Sequence, residues 1–270
     1  MRFKIAIIFL IVVVCCFLVL FEGVRNIPSS GGSIELSSVD SCKLTVVVDN
    51  YGDELETAWG LSIFVETPYS KFLFDTGPDP GVLERNMRRL GIDPKDIDFV
   101  VISHEHGDHI GGLSYIAKVK PGITVYVPKG ISKRIKIQNL SIVEVNNTTE
   151  IAHGVAVIGW LYGPPVEQAL AINVKDRLVI ITGCSHPGVV NIVAKAVRDL
   201  KLRPYLVLGG FHMGGASSDT CRETIEHLLD LGVEKMAPIH CSGERIRLML
   251  RQEFQEHWLE CHVGSRISIP

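Results

Sequence analysis

Six consecutive residues, His104-Glu105-His106-Gly107-Asp108-His109, put three imidazoles and a carboxylate into one short stretch. Imidazole and carboxylate suit zinc, iron or manganese, and four such groups in six positions are too many for a chance surface cluster. If the stretch is the turn after a strand, His104 and His106 aim two rings at one point. Asp108 and His109 then face a second point close by. Gly107 omits a side chain where the loop must turn sharply. A divalent metal held there would lower the pKa of bound water from about 15.7 to about 7, which points to hydrolysis near neutral pH.

The second half of the chain repeats the theme. Thr182-Gly183-Cys184-Ser185-His186-Pro187-Gly188, Gly209-Gly210-Phe211-His212-Met213-Gly214-Gly215 and Pro238-Ile239-His240-Cys241-Ser242-Gly243 each carry a histidine among glycines. Singly, each histidine reads equally well as a ligand or as a core or capping residue. Together, each after a strand, they favour a common site. There is no Gly-x-Ser-x-Gly elbow and no Gly-x-x-x-x-Gly-Lys loop, so neither a serine nucleophile nor a phosphate cradle is suggested.

The elements that must position these residues follow from apolar periodicity. Strands are predicted over 43–48, 61–67, 71–75, 98–103, 124–127, 140–145, 155–161, 169–174, 177–182, 204–208 and 235–239. Helices are predicted over 81–90, 189–200, 220–231 and 243–254, and Lys175-Asp176 reads as a tight hairpin turn. Gly111 and Gly112 give the helix after the histidine run a close approach. Asp75, His104, Cys184, His212 and His240 all fall just after strand ends, where loops converge on one pocket. Two halves, each strand-rich inside and helical outside, predict an α/β protein built as an αββα sandwich rather than a Rossmann sheet.

The 270 residues are 46% hydrophobic and 21% charged, with a formal net charge of -3. That suits a globular domain, and the lack of a long basic run argues against a nucleic-acid partner in favour of a small-molecule substrate. Arg2 and Lys4 precede an uncharged apolar run from Ile5 to Phe21. This is just long enough to span a bilayer as an apolar anchor helix, which takes about 17 to 25 residues. The leading positive charges then place the domain outside the cytoplasm, anchored to the membrane. The alternative is a signal peptide and a secreted domain, although Phe21-Glu22-Gly23-Val24 is a poor cleavage site. Lipid attachment at Cys15 or Cys16 is disfavoured by the bulky Val13 and Val14. The expected organisation is an anchor or signal segment at 1–25, a flexible Pro/Ser/Gly-rich tether at 26–41 and the catalytic domain at 42–270. Among seven cysteines, only Cys42, Cys221 and Cys261 lie outside the apolar run and the motifs, so no disulfide framework is implied.

The H-x-H-x-D-H run after a buried strand, with Asp75-Thr76-Gly77 upstream, resembles the metallo-β-lactamase superfamily. The ordered set FDTG, SHEHGDHIGGL, TGCSHPG, GGFHMGG and PIHCSG is similar to one branch of it, over about residues 43 to 250. This branch comprises metal-dependent hydrolases related to 7,8-dihydropterin-6-methyl-4-(β-D-ribofuranosyl)-aminobenzene-5'-phosphate synthase. The resemblance implies a metallo-β-lactamase fold with two divalent metal ions, zinc first, with iron or manganese as alternatives. His104, His106 and His186 would hold one ion, and Asp108, His109 and His240 the other. Many members carry a bridging aspartate in Thr-Gly-Asp, and this chain has Thr182-Gly183-Cys184. Cys184 is then a soft ligand, or the bridge is solvent alone. Asp75 would orient a ligand histidine. His212 would be a ligand, or a proton donor in contact with substrate. Trp59 stands where relatives tend to have histidine, which should alter substrate contacts. Asp49-Asn50 also matches the branch, and reads equally well as a strand-ending turn.

The implied activity is hydrolysis of an ester, phosphoester, lactam or thioester. Asp108 would orient the attacking hydroxide and His212 would protonate the leaving group. A pterin-synthase-like transferase is one alternative; an outward-facing domain would not meet phosphorylated pterins. An iron-dependent oxygenase on the same fold is another, and a non-catalytic metal-binding module a third. The substrate itself is expected to depend on loops such as Gly163 to Glu167 and on contacts near Trp59.

Overall fold

The computed structural model describes residues 33–270. The apolar run at 5–21, expected as an anchor or signal, lies outside the described residues. Among the described residues, no helix is long and apolar enough to cross a membrane.

Two mixed sheets form the centre. Strands β1 (Cys42–Val48), β2 (Ser62–Glu66), β3 (Lys71–Phe74), β4 (Phe99–Val101), β5 (Ile123–Pro128), β6 (Leu140–Val145) and β13 (Arg266–Ile269) make the first, in the order β13-β1-β2-β3-β4-β5-β6. Strands β7 (Thr149–Ala152), β8 (Val155–Tyr162), β9 (Val166–Val174), β10 (Arg177–Thr182), β11 (Arg203–Gly210) and β12 (Lys235–Ile239) make the second, in the order β12-β11-β10-β9-β8-β7. Successive strand residues point to opposite faces, and the burial follows that alternation. Ile63 and Val65, Phe72 and Phe74, and Phe99 and Val101 meet Leu170, Ile172, Val179, Ile181, Leu206 and Leu208 in one core cluster between the sheets. Phe64, Leu73 and Val100 face the other way, onto helices α1 (Pro80–Leu90) and α3 (Leu113–Val119) through Leu83, Met87, Leu113 and Ile116, and the short α2 (Gly107–Ile110) precedes α3. Helix α4 (Val189–Leu200) contacts β8, β10 and β11, and α5 (Ser218–Asp230) packs on α4 and on α6 (Glu244–Glu253). The predicted sandwich is the observed architecture.

Local signals explain the element ends. Asp79 caps α1 by accepting from Gly81 and Val82, and Gly91 closes it in the left-handed region. Lys175 and Asp176 take φ 49° and 63°, as a two-residue hairpin turn requires. Gly111 and Gly112 pass so close to the backbone of Pro78 and Thr76 that any Cβ would collide with their carbonyl oxygens.

Two expectations change. The tether ends earlier than Ser41. Ile34 N–H donates to Asp199 O at 2.9 Å, Asn173 Nδ2 donates to Leu36 O at 3.0 Å, and Leu36 and Val39 are buried. Apolar side chains spaced through a Ser/Gly-rich stretch suffice to dock it on β9 and α4. The short edge strands β7 and β13 were not anticipated, because four residues carry little periodicity and β13 pairs with the distant β1.

Candidate metal centre

The candidate ligands sit just past the carboxyl end of a strand, in the loop or short helix that follows it. Strand β3 leads into Asp75, β4 into Ser103–His109, β10 into Cys184–His186, β11 into His212 and β12 into His240. Four of these residues, Asp75, Ser185, His212 and His240, take positive φ between 53° and 65°. Non-glycine residues avoid this region, and they hold it where surrounding contacts over-determine the backbone.

The ligating atoms form two adjoining groups, His104, His106 and His186 in one, and Asp108, His109, Cys184 and His240 in the other. Within each group they lie within 4.8 Å of one another. In the second group, His240 Nε2 is 3.4 Å from Asp108 Oδ2 and 3.4 Å from Cys184 Sγ. His109 Nε2 is 3.6 Å from Asp108 Oδ2 and 3.2 Å from Cys184 Sγ. The structure thus gathers all seven residues proposed from sequence as metal ligands. It places His212 beside them, its ring 4.6 Å from that of His186, in a third group with Cys184 and Cys241.

Most of the imidazoles are gripped on the nitrogen that points away from the pocket. Asp75 Oδ2 accepts from His109 Nδ1 at 2.7 Å and from Ser103 Oγ at 2.7 Å, while Oδ1 accepts the Ser103 N–H at 2.7 Å. Ser103 Oγ in turn lies 2.9 Å from His104 Nδ1, so one carboxylate orients a candidate ligand in each group. His240 Nδ1 lies 3.3 Å from Asn50 Oδ1, and Asp49 accepts the His240 N–H at 2.9 Å. Asp49 and Asn50 are therefore holders of His240. Trp59 is 60% exposed, with its ring 5.1 Å from that of His240, at the rim of the pocket.

Glu167 was missed as a site residue. It lies inside β9, not in an exposed loop, and is 1% exposed. Its Oε1 accepts the N–H groups of Cys184 and Ser185 at 2.9 and 2.8 Å. Its Oε2 meets the His186 N–H and the His186 Nδ1, each at 2.8 Å. One carboxylate thus shapes the whole Cys184–His186 turn. The available signal was a lone acid near the start of a mostly apolar strand.

Electrostatics suit cation binding. Burial, with help from the neighbouring histidines, pulls the His104 imidazole far below its usual pKa, so the ring stays neutral as a ligand must. Its Nε2 is buried and has no hydrogen-bond partner, although the other nitrogen is held by Ser103. An unpaired buried acceptor is costly, and a cation between His104, His106 and His186 would satisfy it. The residues present therefore fit a metal. Burial raises the pKa of Asp108, but the hydrogen bond and charge of His240 and the charge of His109 outweigh it and hold the carboxylate at about 2. Burial raises Asp49 to about 6, against the hydrogen bonds from the His240 and Asn50 N–H groups. The hydrogen bond from the Cys184 thiol, aided by His212, favours the thiolate of Cys241 despite burial.

Comparison with known proteins agrees with this geometry. The family model described as the metallo-beta-lactamase superfamily matches residues 60–240. The 7,8-dihydropterin-6-methyl-4-(beta-D-ribofuranosyl)-aminobenzene-5'-phosphate synthase of Methanocaldococcus jannaschii is 28% identical, covering 87% of this chain and 99% of that protein. A ribonuclease Z of Nanoarchaeum equitans is 33% identical over 43% of this chain and 41% of its own length. Among solved structures, a metal-dependent hydrolase of the beta-lactamase superfamily superposes with a TM-score of 0.72 at 28% identity, covering 84% of this chain and 99% of that one. The chain is an enzyme of the metallo-beta-lactamase superfamily.

Proposed function

We propose that this enzyme is a metal-dependent hydrolase acting at a dinuclear site on a small-molecule ester, phosphoester, lactam or thioester. The observation that carries the reading is the pair of adjoining ligand groups, with Asp108 and Cys184 on the side where they meet His109 and His240. His104, His106 and His186 would hold one ion, and Asp108, His109, His240 and Cys184 the other, with zinc the first candidate. Bound metal ions would supply an acidified water and positive charge for the leaving oxygen. Asp108, partly exposed and ionised, is placed to accept a hydrogen bond from the attacking water and orient it. His212 is exposed at the mouth, beside His186, where it can return a proton to the leaving group. His104 and His109 are buried while His106 and His212 are exposed, so the pocket opens to solvent on the side of the latter two.

The test is an assay of metal-loaded enzyme against generic phosphodiester, carboxylic ester, lactam and thioester substrates. Turnover of at least one class, lost on chelation and restored by zinc, is expected. Metal-loaded enzyme inert toward every class would contradict the reading. A second reading, a transferase displacing pyrophosphate with an aromatic amine, draws support from the similarity to the Methanocaldococcus synthase. Amine-dependent pyrophosphate release without hydrolysis would favour it. The apolar run at 5–21 supports, on sequence grounds, an anchored domain outside the cytoplasm, and recovery of the full chain in the soluble cytoplasmic fraction would overturn that.

A further inference from the structure

The hydrolytic reading employs Cys184 as a ligand and His212 as a proton donor, and gives Cys241 nothing to do. These three side chains nevertheless meet. Strands β10, β11 and β12 are parallel neighbours in that order, and Cys184, His212 and Cys241 follow their carboxyl ends. The two sulfurs and a ring nitrogen of His212 lie within 4.8 Å of one another. Cys241 Sγ is 3.5 Å from the carbonyl oxygen of Cys184. Gly210, on the strand between them, makes this approach possible. A Cβ there would sit 2.7 Å from Cys241 Sγ and 3.1 Å from Cys184 Cα, so a side chain would push the cysteines apart. Both cysteines are buried and His212 is exposed, which leaves one side of the group open to solvent.

We propose that Cys184, Cys241 and His212 form a third metal site, a Cys2His site for a thiophilic ion of the zinc type that shares the Cys184 sulfur with the dinuclear pocket. The inference rests on the dinuclear reading through that shared sulfur, and it makes His212 a ligand in place of a proton donor. Zinc binds thiolate at about 2.3 Å and imidazole at about 2.0–2.1 Å, so tetrahedral ligand atoms stand roughly 3.4–3.8 Å apart. Separations of at most 4.8 Å reach that spacing with a contraction of about 1.4 Å or less. Two sulfurs and an imidazole, with no oxygen donor, select a soft ion over magnesium or calcium. Three protein ligands leave a fourth position open, and it faces solvent beside His212. A thiolate sulfur has lone pairs enough to bridge two cations. With Cys241 and Asp108 it brings three negative charges to offset ions held close together.

The test is a cobalt(II) titration of the full chain after chelation, under reducing conditions, in wild type and in Cys241→Ser, His212→Ala and His106→Ala. Wild type is expected to bind three equivalents, with part of its near-ultraviolet thiolate-to-cobalt absorption depending on Cys241. Cys241→Ser and His212→Ala should each bind two and lose that part of the absorption. His106→Ala should lose a different equivalent and keep it. His212 is exposed, so its variant guards against a folding failure in Cys241→Ser. Wild type saturating at two, with the same absorption in Cys241→Ser, would overturn the third site and leave the dinuclear reading standing. Fewer than two equivalents, with a thiolate band that Cys241→Ser abolishes, would support the Cys2His site and sink the dinuclear reading instead. Recovery of Cys184 and Cys241 as a disulfide under these conditions would also overturn the proposal.

Discussion

Asp75 Oδ2 stands 2.7 Å from His109 Nδ1, with both side chains wholly buried. The same carboxylate takes two hydrogen bonds from Ser103, whose hydroxyl reaches His104 Nδ1. Orientation of a ligand in each metal group therefore runs through one side chain at the end of β3. Asp75→Asn turns an N–H2 toward donors that need an acceptor. Metal affinity should fall about 10- to 100-fold, and the fold should lose about 1–3 kcal/mol. Competition with a chromophoric chelator, paired with urea unfolding, measures both. Wild-type affinity in Asp75→Asn would contradict the role.

Glu167 offers a parallel case. It satisfies four donors of the Cys184–His186 turn, two on each oxygen. Glu167→Gln keeps one oxygen and turns an amide toward the other pair. The expected result is loss of zinc affinity by about 10-fold or more, with destabilisation of about 1–3 kcal/mol. Zinc titration and thermal unfolding of the variant check this, and unchanged values for both would remove Glu167 from the site.

The histidines were legible because ligand chemistry demands particular side chains at close spacing, and the β/α order was legible because both sheets bury alternating faces. Glu167 was hidden because a single carboxylate in an apolar strand reveals nothing of the turn it will meet from the next strand but for its oddity. Cys241 was overshadowed by His240. Its partners Cys184 and His212 come from other strands, and only parallel register brings them together. The docking of 34–41 depended on two apolar side chains in a polar stretch, Leu36 and Val39, too few for a periodic signal. Local patterns thus specified the elements and most ligands, while long-range packing decided which buried polar groups hold them.

The depressed pKa of His104 sets a pH dependence. The folded ring resists protonation, whereas the unfolded ring takes a proton near its usual value of about 6.5. Below that value the unfolded state binds the extra proton, so this stabilisation is present above about pH 6.5 and is lost as pH falls. The slope from one such group approaches about 1.4 kcal/mol per pH unit. Urea unfolding of chelated protein between about pH 5 and 7.5 should show wild-type stability gaining on that of His104→Gln as pH rises, while the raised pKa values of Asp49 and His109 pull both proteins the other way. An equal slope in the variant would contradict the assignment.

The most direct test of the two-metal pocket is metal content measured beside turnover. His106 is exposed, so His106→Ala should change stability by no more than about 0.5 kcal/mol. Metal-replete wild type should carry at least two ions per chain, His106→Ala should carry one fewer, and its metal-dependent hydrolysis should disappear. Fewer than two ions in wild type, or undiminished hydrolysis in His106→Ala, would contradict the account.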